Sequence, residues 1–483
     1  MTTTAQHYLA QLAEATSSLP DAARELGELF EAQGHELALV GGPVRDAILG
    51  RPCHDLDFAT SATPDETEAI LREWGSALWT MGKAYGTIGA QRGGDQVEIT
   101  TYRSDQYDPQ SRKPVVAFGD TLDGDLSRRD FTVNAMAIRV PSGTFVDPFD
   151  GLSDLSKKLL RTPIEPEKSF DDDPRRMMRA ARFASQLGFA VQIDAAAAMY
   201  DMAHRISIVS VERVQAELTA LLLGEHPRAG LEILVDSGLA DEVLPELPAL
   251  ALEVDEHHRH KDVYEHSLIV LDQAIEQETG PDGPVPGPDL VIRLAALLHD
   301  CGKPATRRFL PGGKVSFYNH DLVGARLVTK RLTALKYDKH LVKDVARLVE
   351  LHLRFHGYGE AQWTDAAVRR YVTDAGPLLA RLHILTRADC TTRNRRKAEY
   401  LRAAYADLVE RIDELREREE IEAIRPDLDG TQIMEILGIS PGRDVGRAYR
   451  YMLALRMDQG PLPQDEAVAA LTAWWAEESA QRG

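Results

Sequence analysis

The chain has 483 residues, of which 43% are hydrophobic, 27% charged and only 6% aromatic. These are globular proportions that exclude a largely disordered chain, and at about 150 residues per domain the length corresponds to roughly three domains. Acidic residues outnumber basic ones 76 to 56, giving a formal net charge of −20 and a pI near 5.2; this excludes a general nucleic-acid coat protein but leaves room for a local basic groove on an acidic body.

Cys53, Cys301 and Cys390 lie far apart and in no CxxC spacing, which argues against a disulfide scaffold or a cysteine zinc site and fits a reducing compartment. The N-terminal MTTTAQHYLAQLAEA has neither a basic n-region nor an apolar h-region, and no run of 18 apolar residues occurs, so neither a signal peptide nor a membrane span is expected. The expectation is a soluble, cytoplasmic protein with no membrane partner.

ELALVGG (36–42) reads as a strand entering a double-glycine turn, and PVRDAILG as the helix after it. CHDLDFAT, GTIGAQR, QVEITTYR and NAMAIRV carry the alternation of a mixed sheet. The polar stretch between Tyr102 and Leu126 is too irregular for a core element, and a loop of that length is usually functional or mobile.

From Asp171 onward, helical spacing dominates: DPRRMMRAARFASQLGF, SVERVQAELTALLLG, PRAGLEILVDSGLA and VIRLAALLHD each predict a helix. ETGPDGPVPGPDL (278–290) predicts a surface loop, and the charge-rich LVERIDELREREEIEAI a solvated helix. The expected fold class is α+β, a small mixed-sheet head followed by a long all-α body.

Gly41-Gly42, between a strand and a helix, lets backbone N–H groups approach a phosphate without an intervening Cβ. Asp55 and Asp57 are two apart, so a strand would put both carboxylates on one face. Two such charges repel unless a cation sits between them, and Mg2+ with oxygen ligands is the natural partner. Glu98 supplies a third carboxylate on a neighbouring strand. Each of these features alone is common in proteins; their combination within VGGPVRDAILGRPCHDLDFAT, with Arg45 and Asp46, is not.

This stretch resembles the signature of the nucleotidyltransferase superfamily, specifically bacterial-type (class II) CCA-adding tRNA nucleotidyltransferases and their poly(A) polymerase relatives, whose head is polymerase-β-like. Further resemblances follow in order. LSRRDFTVNAMAI (126–138) implies Arg129, Asp130 and Asn134 near the ribose and triphosphate. VDPFDGLSDL (146–155) is similar to the connector motif, with Asp147 and Asp150 in structural or hinge roles. DDDPRRMMRAARF (171–183) is similar to the fourth motif, with Asp172 where relatives usually carry Glu, and SVERVQAEL (210–218) to the motif closing the neck.

In the fourth motif, Asp173 and Arg176 are three apart and are expected on one helix face. Cytosine and adenine both present an amino donor beside a ring-nitrogen acceptor, whereas guanine and uracil present the reverse. A carboxylate only accepts and a guanidinium only donates, so this pair would satisfy C or A and leave G or U with unpaired groups. The resemblance implies such a protein template for CTP and then ATP, with Arg179 and Arg182 in phosphate contact or structural pairing. It also implies that Asp55 and Asp57 hold two Mg2+ ions about 3.5–4 Å apart.

In the helical body, His266 (DVYEHSL), His299-Asp300 (AALLHDCGKPAT) and Asp389 (RADC) follow the order of HD-domain phosphohydrolases, which this part resembles, with each ligand expected on a helix. Imidazole and carboxylate ligands suit Mn2+, Ni2+, Co2+ or Zn2+ better than Mg2+, and His320 and His352 extend the set toward a second ion. The basic run Arg393, Arg395, Arg396 and Lys397 is a candidate for tRNA phosphate contact. RPDLDGTQIMEILGISPGRDVGRAYRYML resembles the tail of these enzymes, which implies contact with the tRNA elbow.

The expected organisation is a nucleotidyltransferase head (1–160), a helical neck (161–250), an HD-type domain (251–400) and a tRNA-contacting C-terminal region (401–483). The implied activity is template-independent addition of CCA to the 3′ end of tRNA from CTP and ATP, with tRNA rather than DNA as the nucleic-acid partner. The alternatives are a poly(A) polymerase, against which the non-basic end AVAALTAWWAEESAQRG argues, addition of CC only or A only, and an HD-type nucleotide or RNA-end phosphohydrolase with a nucleotide-binding head.

Overall fold

The computed structural model describes residues 3–52, 55–103, 119, 121–251, 263–311, 314–358, 363–390, 395–419 and 424–480. Cys53, most of the polar stretch 102–126 and Arg393 lie outside the described residues, as do the side chains of Asp55, Arg395 and Lys397. The chain divides into two compact units, Met1–Pro248 and Ala249–Gly483.

The first unit is built on a seven-stranded mixed sheet of β1 (Leu37–Val40), β2 (Asp55–Thr60), β3 (Ala77–Trp79), β4 (Thr87–Arg92), β5 (Asp95–Thr101), β6 (Ala137–Val140) and β7 (Thr144–Val146), in the order β3-β4-β5-β2-β1-β6-β7. β1 is buried at all four residues, as its unbroken apolar run requires of a strand flanked by β2 and β6. β2 runs parallel to β5 and antiparallel to β1. The helix Asp21–Ala32 lays Ala22, Ala23, Leu26 and Phe30 into the core. A capping box between Thr63 and Glu66 starts the helix Pro64–Trp74.

After the sheet, Asp147 accepts backbone N–H bonds from Gly151 and Leu152 (2.7 and 3.0 Å) and so caps the helix Gly151–Lys157. The helix Arg175–Leu187 then packs against Val211–Leu222 and Pro227–Asp236. The expected single helix over 227–240 is broken after Asp236 and resumes at Leu239–Val243.

Among the described residues, the second unit is helical apart from a ribbon pairing Arg308–Leu310 with Lys314–Ser316 and a single bridge between Thr279 and Pro286. The helices Val263–Ile275, Leu290–Leu298, Lys339–Leu351 and Leu379–Asp389 pack together, and His320–Ala334 lies on Lys339–Leu351. A small cluster of Leu428, Ile433, Ala448, Met452, Ala467 and Leu471 holds the C-terminal helices.

One expectation is modified here. The charge-rich segment forms the end of the helix Arg395–Glu419, but it is not merely solvated: Leu408, Ile412 and Leu415 recur at three- and four-residue spacing and are fully buried, and Glu419 pairs with buried Arg369 at 2.7 Å. The Gly/Pro-rich 278–290 is a largely exposed loop, as expected, anchored at a few points. Glu278 in it forms a buried ion pair with Arg293 at 2.7 Å, and Val285 is fully buried. Among the described residues, no helix is long and apolar enough to cross a membrane.

Candidate active sites

In the head, Asp57 and Glu98 are direct partners in the parallel register of β2 and β5, so their side chains leave the sheet on the same side. Both are exposed, whereas Leu56, Phe58, Val97 and Ile99 point into the core. Asp55, two residues before Asp57 on β2, belongs to the same face by strand alternation. The face therefore gathers carboxylates where the sheet is covered on its other side.

The turn beside this strand needs a glycine. Gly41 has φ 75° and ψ −131°, and a Cβ there would lie 2.7 Å from a terminal nitrogen of Arg129. Only glycine permits both that backbone and that approach. Gly42 opens the short helix Gly42–Ile48, which carries Arg45.

Arg45 grips Asp46 through two bonds (2.9 and 2.8 Å) and donates to the side-chain oxygen of Asn134 (2.6 Å). The Asn134 amide donates in turn to Asp130 (2.9 Å), whose other oxygen accepts from Arg179 (2.6 Å). Burial would raise the Asp130 carboxyl, but the Arg179 guanidinium and the bonds from Asn134 and Phe131 outweigh it and hold the group far below the usual carboxylate range. In the same way Arg129 and Arg128 outweigh burial at Asp125 and keep it low.

Arg45, Arg179 and Arg182 all stack on Phe183, at 5.2, 5.2 and 4.5 Å from the ring centroid. Burial first, and then the neighbouring Arg179, lower the affinity of Arg182 for its proton, and Glu217 stands 3.2 Å away as its counter-ion. Sequence reading missed Phe183 and Glu217 as parts of this site. The signals were present: Phe183 lies four residues after Arg179, and Glu217 sits inside SVERVQAEL.

Asp173 and Arg176 do not share a helix face. Pro174 cannot continue a helix from the preceding turn, and it forces the residue before it into extended geometry. Asp173 accordingly has φ −146° and ψ 95° and separates the helix Pro166–Asp172 from Arg175–Leu187. Its carboxylate accepts from the Arg175 amide (3.0 Å) and lies 3.5 Å from the Arg175 guanidinium. Arg176 is buried and donates to the carbonyl and hydroxyl of Ser169 (3.2 and 2.7 Å) and to the Arg128 carbonyl.

In the second unit, His266, His299, Asp300, His320, His352 and Asp389 converge. His266 Nε2 lies 2.9 Å from Asp389 and 3.7 Å from Asp300; His299 Nε2 lies 3.2 Å from Asp300 and 3.6 Å from Asp389. His320 and His352 approach the other Asp300 oxygen at 3.2 and 3.9 Å. Candidate ligand atoms fall into two groups, His266–His299–Asp389 and Asp300–His320–His352, each within 4.8 Å. His266 lies on a helix and Asp389 ends one, as expected. His299 and Asp300 instead lie just past the end of Leu290–Leu298, because the chain turns there toward Gly302. A Cβ on Gly302 would sit 2.0 Å from the His320 carbonyl oxygen, so glycine is what lets these two segments meet.

Nδ1 of His299, His320 and His352 is in each case hydrogen-bonded to the carbonyl three residues upstream (Ala296, Phe317 and Val349) at 2.6–2.8 Å. This leaves Nε2 facing inward, and those three buried Nε2 atoms make no well-aligned hydrogen bond. Orphaned buried nitrogens aimed at two carboxylates are what a metal-binding donor set provides. Burial would lower His299, but adjacent Asp300 raises it to about 10; burial and the charge on His299 push His352 down to about 4. Lys303, next to the pair, bonds to Asp300.

Three family models match in chain order: the Poly A polymerase head domain over residues 37–161, the probable RNA and SrmB-binding site of polymerase A over 188–250, and the HD domain over 263–394. The chain is 34% identical over 449 residues to the A-adding tRNA nucleotidyltransferase of Deinococcus radiodurans, covering 92% of this chain and 96% of that protein. It is 38% identical over 297 residues to the CCA-adding enzyme of Geobacillus thermodenitrificans, covering 61% and 67% of the two. Among solved structures, the CCA-adding enzyme of Bacillus stearothermophilus in complex with CTP matches with a TM-score of 0.64 across 100% of both chains at 24% identity, a likeness of fold.

Proposed function

The chain belongs to the tRNA nucleotidyltransferase family, and from that premise we propose that it adds C, C and A to the 3′ end of tRNA from CTP and ATP, releasing pyrophosphate. The observation that carries this reading is the register that sets Asp57 beside Glu98, with Asp55 on the same strand face. Carboxylates gathered on one strand face fit divalent cations with oxygen ligands, Mg2+ above all. When bound, such ions would lower the pKa of the RNA 3′-hydroxyl and neutralise the triphosphate and the leaving pyrophosphate.

The chain's own contribution is position and charge. Gly41 and Gly42 admit phosphate oxygens to the backbone, and Arg129 stands against that turn. Arg45, Asn134, Asp130 and Arg179 form one bonded series that would fix the ribose and triphosphate. Asp173 and Arg176 would read the base edge, the acid from an extended segment and the guanidinium from the helix that follows. RNA is gripped by shape and backbone contacts, which an acidic protein can make through a local basic surface; Arg396 and the C-terminal helices are proposed for this. The division into head, neck, HD domain and tail at residues 160, 250 and 400 is part of the same proposal.

The HD-type hexad is proposed as a metal-dependent phosphohydrolase site acting on nucleotide or RNA-end phosphates. Four imidazoles and two carboxylates fit Mn2+, Ni2+, Co2+ or Zn2+. A second reading of the head, addition of A alone, is favoured by one observation: the relative matched over 96% of its length carries the A-adding name. Extension of a tRNA lacking its 3′ end, with labelled CTP and ATP alone and together, decides. Growth by C, C and then A supports the first reading, and growth only on tRNA already ending in CC establishes the second. Long A tails without use of CTP would make the protein a poly(A) polymerase.

A further inference from the structure

Next to the hexad, the ribbon of Arg308–Leu310 and Lys314–Ser316 carries an apolar surface that the fold leaves in solvent. Phe309 is 70% exposed. In the antiparallel register Phe309 faces Val315, and partners in a register project from the same side. The Arg307 guanidinium lies over the Phe309 ring at 4.7 Å. Just past the end of that strand, Phe317 has the Lys303 ammonium 5.7 Å from its ring, and Lys303 bonds to Asp300 of the hexad. The Phe317 carbonyl also accepts the hydrogen bond from His320 Nδ1 at 2.8 Å. Through Phe317 and Lys303, the ribbon is thus linked to two residues of the hexad.

We propose that this ribbon is a nucleobase platform for the HD-type site: the terminal base of a nucleotide phosphoester stacks on the open face of Phe309, with Arg307 backing the other face and Lys303 facing the anionic ester at the hexad. The inference rests on the phosphohydrolase reading above and adds what selects the substrate. An exposed ring backed by a guanidinium is the surface that single-stranded nucleic-acid sites use, because every base offers a π-face, and Arg307 and Lys303 supply the charge complement to a phosphate. The site takes a nucleotide whose base is unpaired, either at an RNA 3′ end or free.

The full-length protein is tested in two ways. Without added metal, an RNA whose 3′-terminal nucleotide is a 4-thiouridine bearing a 3′-phosphate is irradiated, and the cross-link is mapped by mass spectrometry. It is expected on the peptide containing Phe309, lost in Phe309→Ala and kept in Phe309→Trp. With Mn2+, kcat/KM for phosphate release from that RNA is compared with the value for the same RNA ending in an abasic 3′-phosphate. Phe309→Ala should lower the first about tenfold, the equivalent of about 1.4 kcal/mol of stacking, and leave the second unchanged. Uridine 3′-monophosphate added as competitor separates the sources: full competition assigns a free nucleotide, poor competition an RNA end. Cross-links that are unchanged in Phe309→Ala, or equal losses on both substrates, overturn the platform. If the wild type releases phosphate from neither RNA but the Phe309-dependent cross-link persists, the hydrolase reading falls and the platform stands.

Discussion

Arg45 and Asp130 do not touch; a single side chain, Asn134, joins them, accepting from Arg45 at 2.6 Å and donating to Asp130 at 2.9 Å. All three are buried, so the amide bridges a cation and an anion that water reaches poorly. Asn134→Ala leaves both partners one bond short, which costs about 2–3 kcal/mol for groups of this kind. Denaturant unfolding should show that loss in the first unit's transition, and nucleotide KM should rise with it.

Asp57→Asn removes one charge from an exposed face and touches little of the core. Incorporation of both C and A should fall by about 10³-fold or more, the equivalent of the several kcal/mol that metal coordination supplies, with melting temperature unchanged within error. A variant that still extends tRNA at near-normal rates would remove Asp57 from the proposed site.

Phe183→Leu keeps an apolar side chain but deletes the face on which three guanidiniums rest. At about 0.5–2 kcal/mol per cation–π contact, nucleotide KM should rise about tenfold or more, and Phe183→Tyr should restore it. Steady-state titration of CTP and ATP separates this from a general loss of folding, which would lower active-enzyme concentration without moving KM.

Burial, with Arg387 nearby, pushes His383 down from 6.5 to about 4, and the ring stacks on Tyr371 with centroids 5.9 Å apart. Its neutral form is the one the fold accepts. The unfolded chain therefore binds the extra proton first: stability is full above about pH 6.5 and is lost as pH falls toward 4, by about 3 kcal/mol at most. His383→Gln should flatten this acid limb of the second unit's stability, measured by urea unfolding at stepped pH.

A metal at the hexad binds the folded unit only. Mn2+ at 100 times its Kd stabilises by about 2.7 kcal/mol, so the second unit's Tm should rise about 5–10 °C. His299→Ala should abolish most of that rise. No shift with Mn2+, Ni2+, Co2+ or Zn2+ would refute the hexad as a metal site.

Much of the head was legible because its strands alternate or run apolar without interruption, and because glycines and carboxylates stand at fixed spacings along one short stretch. The convergence of six HD-type residues was legible as an order of letters. What was not legible is where one element ends. The i,i+3 spacing of Asp173 and Arg176 suggested a shared face, but Pro174 between them ends one helix and begins another. The charge-rich helix hid a buried stripe of Leu408, Ile412 and Leu415 because the charges outnumber it. Phe183 escaped notice since an aromatic on an amphipathic helix reads as ordinary core; only the positions of three arginines around its ring reveal its role.

The three imidazoles tethered at Nδ1 to the carbonyls three residues upstream have their tautomers and ring planes settled as the chain folds. Ion capture then requires no ring to rotate, and one cation can leave and another enter the same preset cage. With shape already fixed and imidazole acceptable to several first-row ions, which ion would occupy such a cage would be decided less by the protein than by which ion its surroundings hold in plenty.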